Sequence, residues 1–306
     1  MAHENVIVVG VDGSEASLGA LEWAAAEAER TGWRLHIVCA YALPSFTAAS
    51  LDGGYAAMDD STIHAGAQSV LDDAAVRVAD RGLSVSTALE TGDPAGVLVD
   101  LSREASIVVV GSRGRGGFAD RLLGTVSSTL PAHAHCTTVV VPLRGGRQVT
   151  PVRRIVVGVD GSDSARGALK RAISEARQWD AELSAVSAVP VPTGAGLAWL
   201  PAAVDRGDVL TDVRAGLRLA IEAALGDEVM DIRQLALEGN PAALMSEFST
   251  AVDLIVVGSR GRGGFAGLLM GSTSQAVLHH AVCPVMVVPT RSVKDEVGPA
   301  DVPWEH

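Results

Sequence analysis

Two stretches of this chain combine glycines, hydroxyls and arginines at a spacing suited to holding phosphate. Gly111-Ser112-Arg113-Gly114 is followed after nine residues by Gly124-Thr125, and Gly258-Ser259-Arg260-Gly261 after nine residues by Gly271-Ser272. Each stretch follows an apolar run, Ile107 to Val110 or Leu254 to Val257, that reads as a strand, and each leads into a helix pattern. A strand, a glycine loop and a helix N-terminus bring unpaired backbone N–H groups and the positive end of the helix dipole to one point, which is how proteins cradle phosphate. Gly111, Gly114, Gly258 and Gly261 would let the backbone approach a ligand closely or adopt φ > 0; an ordinary tight turn is the alternative. Gly124-Thr125 and Gly271-Ser272, with Val126 and Thr273 behind them, would offer N–H and hydroxyl donors, or Thr125 and Ser272 would merely cap their helices. Arg113, Arg115, Arg260 and Arg262 would neutralise a polyphosphate, or stand solvated beside the loop glycines Gly116, Gly117, Gly263 and Gly264.

Other chemistries fit less well. Only two of the 24 basic residues are lysines, Lys170 and Lys294, and no G-x4-G-K-[ST] occurs, which excludes the P-loop ATPase mechanism. No G-x-G-x-x-G follows a first strand, which weakens a dinucleotide enzyme. His133, His135 and Cys136, with His279, His280 and Cys283, cluster in sequence, but each set offers three ligands and its cysteine leads into a strand, so no protein metal site is expected. Trp23, Trp33 and Trp179 read as packing residues, while Trp199, in the loop from Val189 to Asp205, could instead cover the second site.

The elements that must position these loops are themselves doubled. Ile7 to Ser14 is identical to Ile155 to Ser162, and Val109 to Ala119 to Val256 to Ala266. Gly92-Asp93-Pro94 has its partner in Gly239-Asn240-Pro241. The offset is 148 at the start and 147 later, so one residue was gained or lost between Tyr41 and Gly92. A unit this long is a domain rather than a solenoid repeat, and domains over 1–146 and 152–290 with a tail over 291–306 are expected. Strands are predicted near 5–11, 34–41, 84–90, 106–110 and 137–142, then near 153–159, 181–189, 232–237, 253–257 and 284–289. Helices lie between them: Ser14 is placed to cap the first, Asp93-Pro94 to start a short one, and another follows Gly124. Pro131, where the second half has Leu278, predicts a kinked or shortened last helix in the first half. Alternating strands and helices imply an α/β fold, a parallel sheet covered on both faces in each domain, with ligands beyond the carboxyl ends of the strands. Asp12 and Asp160 fall at such ends, although Asp-Gly-Ser is also a good turn.

Apolar content of 48% against 20% charged residues supports a buried globular core. No apolar run reaches the roughly 18 residues of a membrane span. His3 and Glu4 stand directly before the first strand, and the three cysteines form no disulfide framework, so a cytoplasmic location is expected. A net charge of −12 argues against a nucleic-acid partner.

The doubled G-x2-G-x9-G-[ST], the Val-Gly-Val-Asp-Gly-Ser openings and the closing Cys283-Pro284-Val285-Met286-Val287-Val288-Pro289 closely resemble the universal stress protein family in its tandem actinobacterial form, over residues 5–143 and 152–290. The resemblance implies a flavodoxin-like (Rossmann-like) five-stranded sheet of order 3-2-1-4-5 in each half, ATP binding, regulation of growth or persistence under stress, and association through the last strands. It places Asp12 and Asp160 near adenine and ribose or near a magnesium ion on ATP. Ala40 and Ala188 align with a position whose backbone holds adenine. Gly10, Val110, Ser112, Gly158, Val257 and Ser259 complete the expected site.

Three functions follow, in order of preference. The first is an ATP-binding regulator with two sites per chain. The second is a slow ATPase or phosphotransferase, disfavoured because the motifs hold neither lysine nor histidine and Asp12 is the one evident carboxylate. The third is an interaction module with vestigial loops. The final strands are apolar, and edge strands invite pairing, so self-association of the halves or of two chains is expected there.

Overall fold

The computed structural model describes residues 5–42, 60–114, 123–143, 150–189, 206–262 and 269–290. Two compact units emerge, Met1–Gly146 and Arg147–Arg291. The expected tail over 291–306 lies outside the described residues, as do Arg115, Gly116, Gly117, Trp199, Gly263 and Gly264.

In unit 1 the apolar runs form strands β1 (Val6–Gly10), β2 (Arg34–Tyr41), β3 (Val85–Thr91), β4 (Ile107–Gly111) and β5 (Thr137–Val141). Helices α1 (Glu15–Thr31), α2 (Asp60–Val78), α3 (Pro94–Leu101) and α4 (Thr125–His133) alternate with them. The strand order is β3-β2-β1-β4-β5, all pairings within the unit being parallel. Ile7, Val8 and Val9 of β1 and Ile107, Val108 and Val109 of β4 are fully buried. Side chains hidden on both faces explain why these strands read as unbroken apolar runs rather than alternating ones. Right-handed crossovers set α1 and α2 side by side on one face and α3 against α4 on the other.

Unit 2 repeats the plan with β6 (Arg154–Gly158), β7 (Glu182–Val189), β8 (Ile232–Glu238), β9 (Leu254–Gly258) and β10 (Val285–Val288), in the order β8-β7-β6-β9-β10. Its pairings are again parallel. Its helices are α5 (Asp163–Trp179), α6 (Arg206–Leu225), α7 (Pro241–Phe248) and α8 (Ser272–His280).

Several local expectations hold. Ser14 caps α1 by accepting the Ser17 N–H, and Asp93 caps α3 through Gly96 N–H at 2.9 Å with Pro94 in the first turn. Trp23 and Trp179 are buried packing residues. The Pro131 expectation fails in part: α4 contains Pro131 yet has nine residues, the same as α8. A proline this close to the helix end removes one hydrogen bond, and the Ala134 N–H still reaches the Leu130 carbonyl at 2.8 Å, matching Ala281 to Val277 at 2.8 Å.

Candidate functional site

In each unit the strand order switches direction between two neighbouring strands, β1 and β4 or β6 and β9, the place where such sheets bind ligands beyond the strands' carboxyl ends. In unit 1 this place, between β1 and β4, holds a cleft of about 400 Å³, a size suited to a small-molecule ligand. Val11, Val38, Ala40, Pro94, Leu98, Val110 and Leu123 supply apolar wall, and Gly10, Asp12, Ser17, Gly111, Arg113, Gly114, Gly124, Thr125, Val126 and Ser127 complete it. Ten residues expected from the sequence therefore meet around one cleft. Val11, Ser17, Val38, Pro94, Leu98, Leu123 and Ser127 were not anticipated. Pro94 carried a signal, since Gly92-Asp93-Pro94 recurs in the second half, and Leu98 stands one helical turn beyond it.

The glycine loop is anchored at its base. The Gly124 N–H donates to the Ser112 carbonyl at 2.8 Å, and the Ser127 hydroxyl donates to the same carbonyl at 2.7 Å. Ser112, buried and outside the cleft lining, donates its own N–H to Val141 at 2.8 Å and accepts the Leu143 N–H on its hydroxyl at 3.1 Å. Unit 2 closes with the same backbone bonds, Gly271 N–H to the Ser259 carbonyl and Ser259 N–H to Val288, both at 2.8 Å, but its Ser274 hydroxyl reaches one residue further back, to the Gly258 carbonyl at 2.6 Å.

Four of the motif glycines answer to protein packing. A Cβ on Gly111 would meet the Ala16 carbonyl carbon at 2.5 Å and the Ser17 nitrogen at 2.7 Å, and one on Gly258 would meet the Ser164 carbonyl carbon at 2.8 Å. A Cβ on Gly114 would collide with Asp12 Oδ2, and one on Gly261 would lie 2.5 Å from Asp160 Oδ2. None of the four has positive φ, so the left-handed conformation considered for them is not used there; it occurs at Gly13 and Gly161, with φ 75° and 78°. Gly124 and Gly271 differ, because a Cβ there would meet nothing among the described residues closer than 3.5 Å.

Those two glycines begin α4 and α8, and neither helix has a side-chain cap. Thr125 and Ser272 are the first helical residues, one position too late to act as the caps considered above. By contrast α1, α3, α5 and α7 are capped by Ser14, Asp93, Ser162 and Asn240. The uncapped N–H groups of Thr125 and Val126 thus lie at the cleft.

Asp160 clasps the loop to the first turn, and Asp12 is bound within its own turn. Asp12 Oδ1 accepts the Ser14 N–H at 3.0 Å and the Ser14 hydroxyl at 2.6 Å. Asp160 Oδ1 accepts the Ser162 N–H at 2.9 Å, while its Oδ2 accepts the Arg262 N–H from the far side of the loop at 2.9 Å. The hydroxyls of Ser14 and Ser162 also face the carbonyls of Arg113 and Arg260, at 3.1 and 3.5 Å. Gly158, Ala188, Val257 and Thr273 occupy in unit 2 the strand-end and helix-start places of Gly10, Ala40, Val110 and Val126.

Cys136 and Cys283 are buried, and among the described residues no group of three or more His, Cys, Asp or Glu is placed to hold a metal ion. Among those residues, too, no helix is long and apolar enough to cross a membrane.

The model of the universal stress protein family matches residues 5–142 and again 151–289. A universal stress protein of Mycobacterium tuberculosis strain H37Rv is 36% identical over 293 residues, spanning 92% of this chain and 96% of its own length. A second from that strain is 32% identical over 296 residues, spanning 92% and 95%. The crystal structure of a universal stress protein from Archaeoglobus fulgidus DSM 4304 covers 95% of this chain and 100% of its own with a TM-score of 0.68 at 21% identity, a likeness of fold. With its flavodoxin-like unit present twice and both copies matched, the chain belongs to the universal stress protein family.

Proposed function

We propose that this chain is an ATP-binding regulator, with a nucleotide site in each unit and with occupancy governing conformation or association, and through them growth or persistence under stress. The observation that carries the reading is the uncapped start of α4 at Gly124, facing a cleft with an apolar wall formed by Val11, Val38, Ala40, Pro94, Leu98, Val110 and Leu123. Protein packing accounts for Gly111, Gly114, Gly258 and Gly261 but leaves Gly124 and Gly271 unexplained. A phosphate drawn to the N–H groups beside them supplies the reason, and the apolar wall suits a base and sugar.

Magnesium in this reading arrives on the phosphates. Asp160 already accepts an N–H on each oxygen and Asp12 is held by Ser14, so neither is set up as a primary metal ligand. The same engagement disfavours Asp12 as a general base and makes holding ATP a better reading than rapid hydrolysis. A cytoplasmic location and self-association through β5 and β10 remain part of the proposal, the latter to be read by sedimentation with and without nucleotide.

The test is to denature purified protein and identify released nucleotide by chromatography, then to measure a thermal shift with added Mg-ATP. ATP released at one or two per chain, or stabilisation of about 2.7 kcal/mol at a hundredfold excess over the dissociation constant, is expected. No nucleotide and no shift would falsify the reading. Rapid ADP production in a single turnover would replace it with the enzyme.

A further inference from the structure

We propose that the two sites are unequal and that Arg113 makes the difference: it reads the phosphate chain in unit 1, and its counterpart Arg260 does not do so in unit 2. This inference rests on the nucleotide reading above.

Arg113 and Arg260 share one motif position within identical flanking sequence. Their surroundings differ. Arg113 is half-buried and lines the cleft, whereas Arg260 is exposed. The Nε of Arg113 is buried and has no hydrogen-bond partner among the described residues. A buried guanidinium donor left without an acceptor is costly, and an anion entering the cleft would satisfy it. Among the described residues lining that cleft, Arg113 is the one cation, and the one anion, Asp12, is already turned to Ser14. A planar guanidinium in that setting is suited to phosphate oxygens and contributes little to an uncharged nucleoside.

The divergence begins outside the motif. Residue 16 is alanine in unit 1, while its counterpart in unit 2 is Ser164. The Ser164 hydroxyl accepts the backbone N–H of Arg260 at 3.3 Å, a tie that Ala16 cannot make to Arg113. The opposite face of the loop changes too: Ser14 lies 3.1 Å from the Arg113 carbonyl, against 3.5 Å from Ser162 to Arg260. The loop backbone is therefore gripped differently in the two units, and its arginine is half-buried in one and exposed in the other.

The full-length chain with Arg113→Ala and, separately, with Arg260→Ala tests this by calorimetric titration with Mg-ATP and with adenosine. Neither guanidinium makes a hydrogen bond among the described residues, and a thermal melt checks that both variants remain folded. Arg113→Ala should weaken the tighter ATP site by about ten- to a hundredfold, the worth of one or two charge-assisted hydrogen bonds, and leave adenosine binding within about twofold. Arg260→Ala should leave both ligands within about twofold. Equal losses for ATP and adenosine in Arg113→Ala, or an Arg260→Ala loss matching that of Arg113→Ala, would overturn the inference while leaving the nucleotide reading standing. Wild-type protein that binds no ATP at all would remove both together.

Discussion

The Asp160 carboxylate accepts the Ser162 N–H on one oxygen and the Arg262 N–H on the other, so two segments some hundred residues apart share one side chain. Asparagine keeps a single acceptor oxygen, and one of those N–H groups would then face an amide donor. Asp160→Asn is therefore expected to speed exchange of the Arg262 or Ser162 amide by about tenfold in nucleotide-free protein, measurable by NMR. Unchanged exchange, with ATP binding lost, would show the carboxylate acting on the ligand instead. His36 offers a second check at this scale. It is buried in β2 with Nδ1 2.9 Å from the Ser86 hydroxyl, and burial, helped by the Arg34 charge, pushes it down to about 4. An unfolded histidine takes up a proton near pH 6.5, which the folded one refuses until about pH 4. Stability should therefore fall as pH drops through that window, by about 3 kcal/mol at the limit. Unit 2 has Ser184 at this position, so His36→Ser should flatten the dependence in urea melts run between pH 7 and 4.5, and an unaltered slope would assign it elsewhere.

Among elements, the paired helices show how one motif can end differently. α1 stops at Gly32 with φ 69°, whereas its counterpart α5 stops at Asp180 with φ 52°, the one non-glycine residue described with positive φ. A Cβ disfavours that conformation, and a carboxylate meets the negative end of the helix dipole. Asp180→Gly should raise stability by about 0.5–1 kcal/mol, after glycine's own entropic cost, as read from the denaturation midpoint. A lower midpoint would mean that Asp180 makes a contact worth more than the strain. Element boundaries were largely legible because their causes are local. Fully buried parallel strands leave continuous apolar runs, and Asp93-Pro94 and Ser14 announce helix starts in the residue types themselves. Pro131 misled because a helix of nine residues has few internal bonds left to lose near its end.

For the whole molecule, the doubled motif revealed two units and the cleft in unit 1, but not why its glycines are there or how the copies differ. The reason for Gly111 lies in the backbone of Ala16, and that for Gly114 in the carboxylate of Asp12, contacts that no spacing within the loop encodes. The same distance hid the contrast between Arg113 and Arg260, whose neighbours along the chain are identical while residues 16 and 164 differ. Nothing in the sequence of the glycine loops marks Leu98 and Pro94 as cleft residues, because they reach the cleft from a helix that carries no phosphate signal. The bond from the Gly124 N–H to the Ser112 carbonyl has a broader consequence. Because this bond ties the end of β4 to the start of α4, sequence inserted between Gly114 and Gly124 would form a cassette whose root is held by strand and helix, and lengthening a loop so closed costs little in closure entropy. New sequence, a reporter or a recognition peptide could be written into one unit's cassette and not the other's, turning a duplicated fold into a two-channel scaffold.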